Sequence, residues 1–117
     1  MTNLIQELKQ FTGSDIVYRN PLFGKFVYTE GVKYLAEKAE AHWLIDYVFS
    51  NQLDKKIKAE EFQIWKITVK DDKSAVIRVE DGNDNLVKQF KLEFTDFPLK
   101  EFSLWFSNNT LLLPSEW

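Results

Sequence analysis

The sequence contains no cysteine among its 117 residues. This absence excludes disulfide bonds, thiolate chemistry and zinc sites that are built on cysteine. His42 is the only histidine, so a metal site that needs two or more histidines is excluded as well. No metal or other cofactor is therefore predicted.

Long apolar runs and dense positive charge are also missing. No segment approaches the roughly 18–20 apolar residues that a membrane helix requires, and no basic and then apolar leader precedes the first predicted helix. We therefore predict a cytoplasmic protein that does not bind membranes. The formal net charge is −3, and no run of Lys or Arg is dense enough to form a phosphate-binding face. This distribution argues against nucleic-acid binding.

Aromatic residues, in contrast, are plentiful. They make up 15% of the chain and include ten Phe and four Trp. Rings of this size bury enough apolar surface to build a core without disulfides or metals. The length favours one domain that covers residues 1–117.

The N-terminal half is predicted to be mainly helical. Apolar residues at helical spacing indicate a short helix over 2–11, and the longest helical pattern runs over 28–51. Thr29 is the expected N-cap of this second pattern. Its apolar stripe is one-sided before Glu40 and nearly all-round after it, so the segment is either one helix or two helices with a break near Glu40. Residues 16–28 form either two short strands around a turn or an ordered loop.

The C-terminal half changes its apolar period to two. Trp65 and Ile67 alternate with polar residues, whereas Phe62 and Ile64 have the opposite parity. This phase slip indicates either a bulge or a strand that is covered on both faces. The Asp-Gly pair within 81–85 predicts a tight hairpin. The predicted fold is α+β, with two or three N-terminal helices packed on one face of a four- to five-stranded antiparallel meander sheet.

Trp105 is a candidate for a partner contact. Its parity is opposite to that of Phe102, Leu104 and Phe106, which predicts a position on the less covered face of the sheet. An exposed tryptophan there would mark a surface for a partner, and Trp117 would extend that surface. The alternative is that a loop or the C-terminal tail covers Trp105.

Tyr18 and Arg19, together with Tyr28, are a second candidate contact surface. Arginine with aromatic rings is the composition of an interface anchor. It is equally the composition of ordinary packing, in which the arginine stem lies along the rings and its guanidinium reaches water.

His42 and Asp46 form the one candidate polar site. They lie four residues apart, so they share a face of a helix. Such a pair can orient an imidazole for base chemistry or present two metal ligands. A third group would be needed. A carboxylate such as that of Asp15 or Glu37 is one option, and nothing in the sequence singles out either of them. The alternative interpretation is a structural pair on the helix surface.

Three segments of the chain resemble a known family, and they lie at 18–48, 81–85 and 95–117. The most specific pieces are YTEGVKYL at 28–35, WLID at 43–46 and LLLPSE at 111–116. The family consists of small bacterial and phage proteins that are known only as a domain of unknown function. The resemblance implies a cytoplasmic protein, often from mobile elements, with no assigned activity and no established site residues. Family members usually have glycine in place of Glu40, where it marks a break between two helices, and this chain departs from that pattern, so the resemblance does not decide between one helix and two.

Three functional hypotheses follow. The leading one is a non-enzymatic module that binds another protein, such as a host complex that a mobile element acts on. The second is a small-ligand binder or enzyme that uses His42 and Asp46. The third is a structural domain that associates with itself, for example as a homodimer.

Overall fold

The computed structural model describes residues 2–12 and 16–117. In those residues four short α-helices are found: α1 (Thr2–Leu8), α2 (Glu30–Lys38), α3 (His42–Ser50) and α4 (Lys55–Lys58). The same residues form seven strands: β1 (Val17–Arg19), β2 (Val27–Thr29), β3 (Phe62–Val69), β4 (Ala75–Glu80), β5 (Leu86–Leu92), β6 (Glu101–Ser107) and β7 (Thr110–Leu112). Two short 3₁₀ turns follow α3 and β7, at Asn51–Leu53 and Pro114–Glu116. None of the described helices has the length and apolar character needed to cross a membrane.

The seven strands join one mixed sheet in the order β1-β2-β7-β6-β3-β4-β5. β2 and β7 run parallel, with Tyr28 opposite Leu111. All the other neighbouring strands pair antiparallel. The strand nearest the C-terminus therefore lies inside the sheet, between the first hairpin and β6, and the two edges are β1 and β5.

The predicted fold of N-terminal helices on a four- to five-stranded antiparallel meander is wrong. The sheet has seven strands and is mixed, and the described part of the chain holds four short helices. A meander requires consecutive strands to be neighbours, whereas β6 returns to pair with β3, and β7 pairs with β2. Apolar alternation identifies a strand but carries no information about which distant strand supplies its hydrogen bonds.

The central helical segment is two helices with a break at Glu40. The hydroxyl of Thr29 caps α2, as predicted, and accepts a hydrogen bond from the amide of Val32 at 3.4 Å. At the other end, the amide of Ala41 donates to the carbonyl of Ala36 at 2.9 Å, and Glu40 has a φ of 52°. This is the Schellman ending, in which a left-handed residue stops the helix. The conformation favours glycine, the residue that the family resemblance implied at this position.

The helices cover one face of the sheet, which we call the covered face. β3 places Trp65 on this face opposite Leu104 of β6, and its ring lies 6.5 Å from that of Tyr47 in α3. Phe49 of α3 meets Phe106 of β6 with ring centres 6.0 Å apart. Both ring pairs meet edge to face, a geometry that adds to the gain from burial. The hydrophobic core therefore lies between α3 and the centre of the sheet.

Two polar residues, Gln63 and Gln52, lie within this core, and Gln63 is fully buried. Its amide nitrogen donates to the side-chain oxygen of Gln52 and to the carbonyl of Ile57, each at 2.9 Å. Its amide oxygen accepts from the Trp65 indole and from Gln52, again at 2.9 Å. Both polar atoms of the amide are satisfied within the protein, as burial requires.

β3 is regular, so the apparent phase slip is not a bulge. It pairs with β6 without interruption from Phe62 to Thr68. Phe62 and Ile64 project to the face opposite the helices, where other side chains partly cover them. The second interpretation, a strand covered on both faces, holds only in part, because Phe62 and Ile64 stay half-buried. The register shifts instead where β4 pairs with β5: Val79 lies opposite Lys88 and Glu80 opposite Leu86, so Val87 is an extra residue of β5.

Candidate functional site

The face of the sheet opposite the helices, here called the open face, has an apolar part and a charged part. The register of β3 explains the division. Ile64 lies opposite Trp105 of β6 on one side and Glu80 of β4 on the other, while Lys66 lies opposite Arg78 of β4. The apolar part is therefore on the side of β6, and the charged part is on the side of β4.

Three rings form the apolar part, and we call them the aromatic patch: Phe62, Trp105 and Trp117. Phe62 is 5.2 Å from Trp105 and 5.3 Å from Trp117, and the two tryptophans are 5.6 Å apart. All three pairs are tilted by 72–76°, so each ring presents an edge to a neighbouring face. Trp117 is 70% exposed. The C-terminal tail thus covers part of Trp105 and adds an exposed tryptophan of its own.

Glu116 fixes the tail that carries Trp117. This glutamate is only 8% exposed. One carboxylate oxygen accepts from the Thr29 hydroxyl at 2.5 Å and from the Leu113 amide at 3.0 Å. The other accepts from the amide of Gly31 at 3.1 Å. Amides of a helix's first turn have no partner within the helix and attract negative charge, so Glu116 is well placed at the beginning of α2.

Gly31 makes room for this arrangement, which we call the tail latch. A β-carbon at Gly31 would lie 2.6 Å from a carboxylate oxygen of Glu116 and 2.6 Å from a methyl group of Leu113. Both distances are shorter than real contacts allow. The glycine that weakens the first turn of α2 therefore makes room for the tail, and through it for Trp117.

The charged part of the open face centres on Glu80, which is buried. Lys66 contacts its carboxylate at 3.0 Å and Arg78 at 3.2 Å. The hydrogen bond from Lys66, with a further one from Arg78, holds the pKa of the Glu80 carboxyl below its usual value, against the opposing effect of burial. Two half-exposed cations share one carboxylate, so this part of the open face is locally positive in a chain of net charge −3.

The predicted contact residues do not form one surface. Trp105 and Trp117 lie together on the open face, as described above. Tyr18 and Arg19 belong to β1, at the edge of the sheet, and β2 and β7 separate them from β6. Tyr18 stacks on Tyr28 with ring centres 5.7 Å apart and has the Lys33 ammonium 5.1 Å above its ring. Arg19 donates a hydrogen bond to the carbonyl of the nearby Gly24.

His42 and Asp46 share a face of α3, as their spacing predicted. They border a hollow of about 270 Å³, which is lined by Asn20, Pro21, Tyr28, His42, Ile45 and Asp46. The carboxylate of Asp46 accepts a hydrogen bond from the Asn20 side chain at 2.8 Å, and His42 is exposed at the beginning of the helix. Asn20 in turn accepts from two amides of its own turn. Asp46 thus fastens the loop between β1 and β2 to α3.

A third metal-binding group is not found beside this pair. Among residues 2–12 and 16–117, no three His, Asp or Glu side chains come together as metal ligands. Glu37 is engaged elsewhere, in an ion pair with Lys33 at 3.1 Å. The other predicted carboxylate, Asp15, lies outside the described residues.

Two important residues, Phe62 and Glu116, were not predicted to belong to a site. Phe62 is out of phase with Trp65 and Ile67 in the sequence. This difference pointed to the open face, but a bulge explained it equally well. Glu116 lies in LLLPSE, and Thr29 and Gly31 lie in YTEGVKYL, two of the most specific pieces of the family resemblance. Both pieces are specific to the family, which could have suggested that they contact each other. No rule of residue spacing, however, connects Thr29 with Glu116, which lie 87 positions apart.

Comparison with known proteins gives a family and no activity. No curated protein matches the chain, and no solved structure matches it either. One family model matches residues 2–117, and its description is a family of unknown function, DUF6876. The resemblance noted in the sequence is confirmed by this match, while a bacterial or phage origin stays a prediction. The chain belongs to the family of unknown function DUF6876.

Proposed function

We propose that this protein is a non-enzymatic module that binds another protein through the aromatic patch. The observation that supports this most directly is the cluster of Phe62, Trp105 and Trp117 on the open face. Tryptophan is strongly enriched among residues that dominate binding energy, because one ring removes a large apolar area from water. A ring that is 70% exposed, as Trp117 is, has most of this area still to bury.

The charged part of the open face supports a particular kind of partner. Lys66 and Arg78 reach water beside the aromatic patch and share a single carboxylate. A partner that presents an apolar side chain flanked by acidic residues would match both parts of the face. The association with mobile elements that the family resemblance implies leads us to expect this partner in a complex of the host cell.

The experiment is affinity capture from a lysate of the cell that carries the gene, followed by quantitative mass spectrometry. We compare wild type with Trp117→Ala and Trp105→Ala. Phe94→Ala is the matched control, because Phe94 is also 70% exposed but lies beyond the end of β5. We expect one acidic partner to be captured by wild type and Phe94→Ala, and to fall at least about tenfold with either tryptophan variant. Equal capture by all four proteins, or no specific capture, would refute the proposal.

A small ligand is the alternative, and two hollows favour it. One is the hollow of about 270 Å³ beside His42 and Asp46. The other, about 580 Å³, opens near Phe26 and Phe106 and is within the usual size range of ligand sites. Asp46 already accepts a hydrogen bond from Asn20, which leaves the first hollow with few free polar groups. The aromatic patch is therefore the better-supported site.

A further inference from the structure

Three side chains of β3, which we call the β3 row, follow one another along the open face. Because side chains of a strand alternate between the two faces, Phe62, Ile64 and Lys66 all point to the open face, and each is half-buried there. Successive members lie about 7 Å apart, since each step covers two residues of the strand. The row therefore changes from aromatic to aliphatic to cationic over about 13 Å.

Side chains from other elements widen the β3 row at both ends. Trp105 of β6 and Trp117 of the tail both contact the ring of Phe62. At the other end, Arg78 of β4 lies opposite Lys66. One end of the row is therefore aromatic across its width, and the other end holds two cations.

We propose that the segment of the partner that binds the open face is an amphipathic helix, lying along β3. This inference rests on the proposed function and adds the secondary structure and residue spacing of the partner. The faces of a sheet present side chains, whereas its backbone N–H and C=O groups lie in the plane of the sheet and bond neighbouring strands. An extended segment laid on the face would leave some of its own backbone groups buried without partners, while a helix satisfies its backbone internally. A helix is therefore the better second layer, as α3 is on the covered face.

The spacing of the β3 row matches one stripe of an α-helix. A helix rises about 1.5 Å per residue, so residues i and i+4 lie about 6 Å apart along its axis, and residues i and i+8 about 12 Å apart. Positions i, i+4, i+7 and i+8 share one face of the helix. Large apolar residues at i and i+4 would contact the rings around Phe62 and then Ile64, and an acidic residue at i+7 or i+8 would reach Lys66. The same spacing read in reverse describes the opposite chain direction.

An acidic residue at that position would meet positive charge that is only partly neutralised. Lys66 and Arg78 share the single carboxylate of Glu80, so the three groups together carry one positive charge. An ammonium group has three donors, so Lys66 can hold Glu80 and a second carboxylate at the same time. Charge pairs of this kind contribute more to specificity than to affinity. The charged end therefore sets the register of the helix along the row, and the rings supply most of the affinity.

Peptide display tests the secondary structure and the spacing together. One phage library presents 18-residue helices on an alanine- and glutamine-rich scaffold, with the residues of one face randomised. The matched library differs only by a fixed proline in the middle of the segment, which breaks the helix. Both are selected against the immobilised full chain. We expect at least about tenfold more binding clones from the helical library, with large apolar residues and an Asp or Glu at the proposed spacing.

Synthetic peptides of the selected sequences are then titrated against variants of the protein by fluorescence anisotropy. Trp117→Ala should weaken binding at least about tenfold. Lys66→Gln should weaken it about twofold to fivefold, and this loss should vanish for a peptide whose acidic residue is replaced by alanine. Lys56→Gln is the matched control, because Lys56 is exposed on α4 and away from the open face. It should leave the affinity unchanged, and all three variants should keep the circular dichroism of the wild type.

This inference and the proposed function fail on different results. Peptides that need Trp117 but bind equally well with the central proline, or without an acidic residue, would overturn the helix and leave the protein-binding surface standing. Libraries that yield no binder, or only binders that Trp117→Ala does not affect, would overturn both. A wild-type dimer that Trp117→Ala dissociates, measured by sedimentation velocity at about 100 μM, would also overturn both, because a second copy would then occupy the open face.

Discussion

The two faces of the sheet hold their buried polar side chains in different ways. Gln63 on the covered face is neutral, and protein atoms make all of its hydrogen bonds. Glu80 on the open face is also buried, but it is ionised and its partners Lys66 and Arg78 are half exposed. Burying a charge is costly unless it is paired and partly hydrated. A face covered by helices therefore accommodates an amide, whereas an open face can accommodate a carboxylate whose cations stay in water.

The largest loss of stability should come from a substitution in the Gln63 network on the covered face. Gln63→Ala removes the partner of the Trp65 indole and of the Gln52 side-chain oxygen, and it opens a cavity, while the Gln52 amide nitrogen keeps the Val48 carbonyl. We expect a loss of about 2–4 kcal/mol in the free energy of unfolding. Urea denaturation measures it. The control is Gln89→Ala on the open face, which should change stability by less than about 0.5 kcal/mol. A loss below about 1 kcal/mol for Gln63→Ala would contradict the role given to this network.

A smaller effect is expected at the tail latch, which joins the beginning of α2 to the tail above the open face. Gly31→Ala would ordinarily stabilise a helix, but here the added methyl group meets Glu116 and Leu113 at 2.6 Å. We expect Gly31→Ala to destabilise the protein by about 1–3 kcal/mol.

A double-mutant cycle tests whether Glu116 is the cause. In a Glu116→Ala background, Gly31→Ala should cost at least about 1 kcal/mol less than it does in wild type, because the carboxylate that it displaces is already gone. Urea denaturation of the four proteins provides the measurement. Additive effects of the two substitutions would show that they act independently.

The smallest expected effect is a change of stability with pH, and it should come from Glu80 on the open face. The hydrogen bond from Lys66 lowers the pKa of Glu80 in the folded protein. A lowered folded pKa means that the unfolded state binds more protons, so the stabilisation is complete above the usual value of 4.5 and is lost as pH falls through the folded value. The difference in stability between wild type and Glu80→Gln should therefore shrink below about pH 4.5. A difference that stays constant from pH 7 to 3 would contradict this origin.

Local features of the fold could be predicted because neighbours in sequence cause them. The Thr29 cap follows from one hydroxyl at the beginning of a helical pattern. The hairpin after β4 lies where the Asp-Gly pair predicted it, although the left-handed residue of its turn is Asp84, with a φ of 65°, and not Gly82. The change of the apolar pattern at Glu40 left one helix or two open, and the left-handed φ of this residue shows that the helix breaks there.

Features that depend on distant partners could not be predicted. No local pattern states that β7 lies beside β2, or that Glu116 reaches the amide of Gly31. The site was predicted in part for the same reason. The parity of Trp105 placed it on the open face correctly, but parity does not give the strand order that separates it from Tyr18 and Arg19.

The position of β7 also governs when the fold can form. This strand lies between β2 and β6 and supplies the edge to which the first hairpin attaches. Residues 110–116 must therefore leave the ribosome before that hairpin and α2 can reach their final places. Contacts that close a loop of 87 residues are slow to form, because chain entropy is lost before the contact repays it. During synthesis, the β3–β4–β5 meander can assemble early. The N-terminal third of the protein can complete its packing only after β7 has been synthesised.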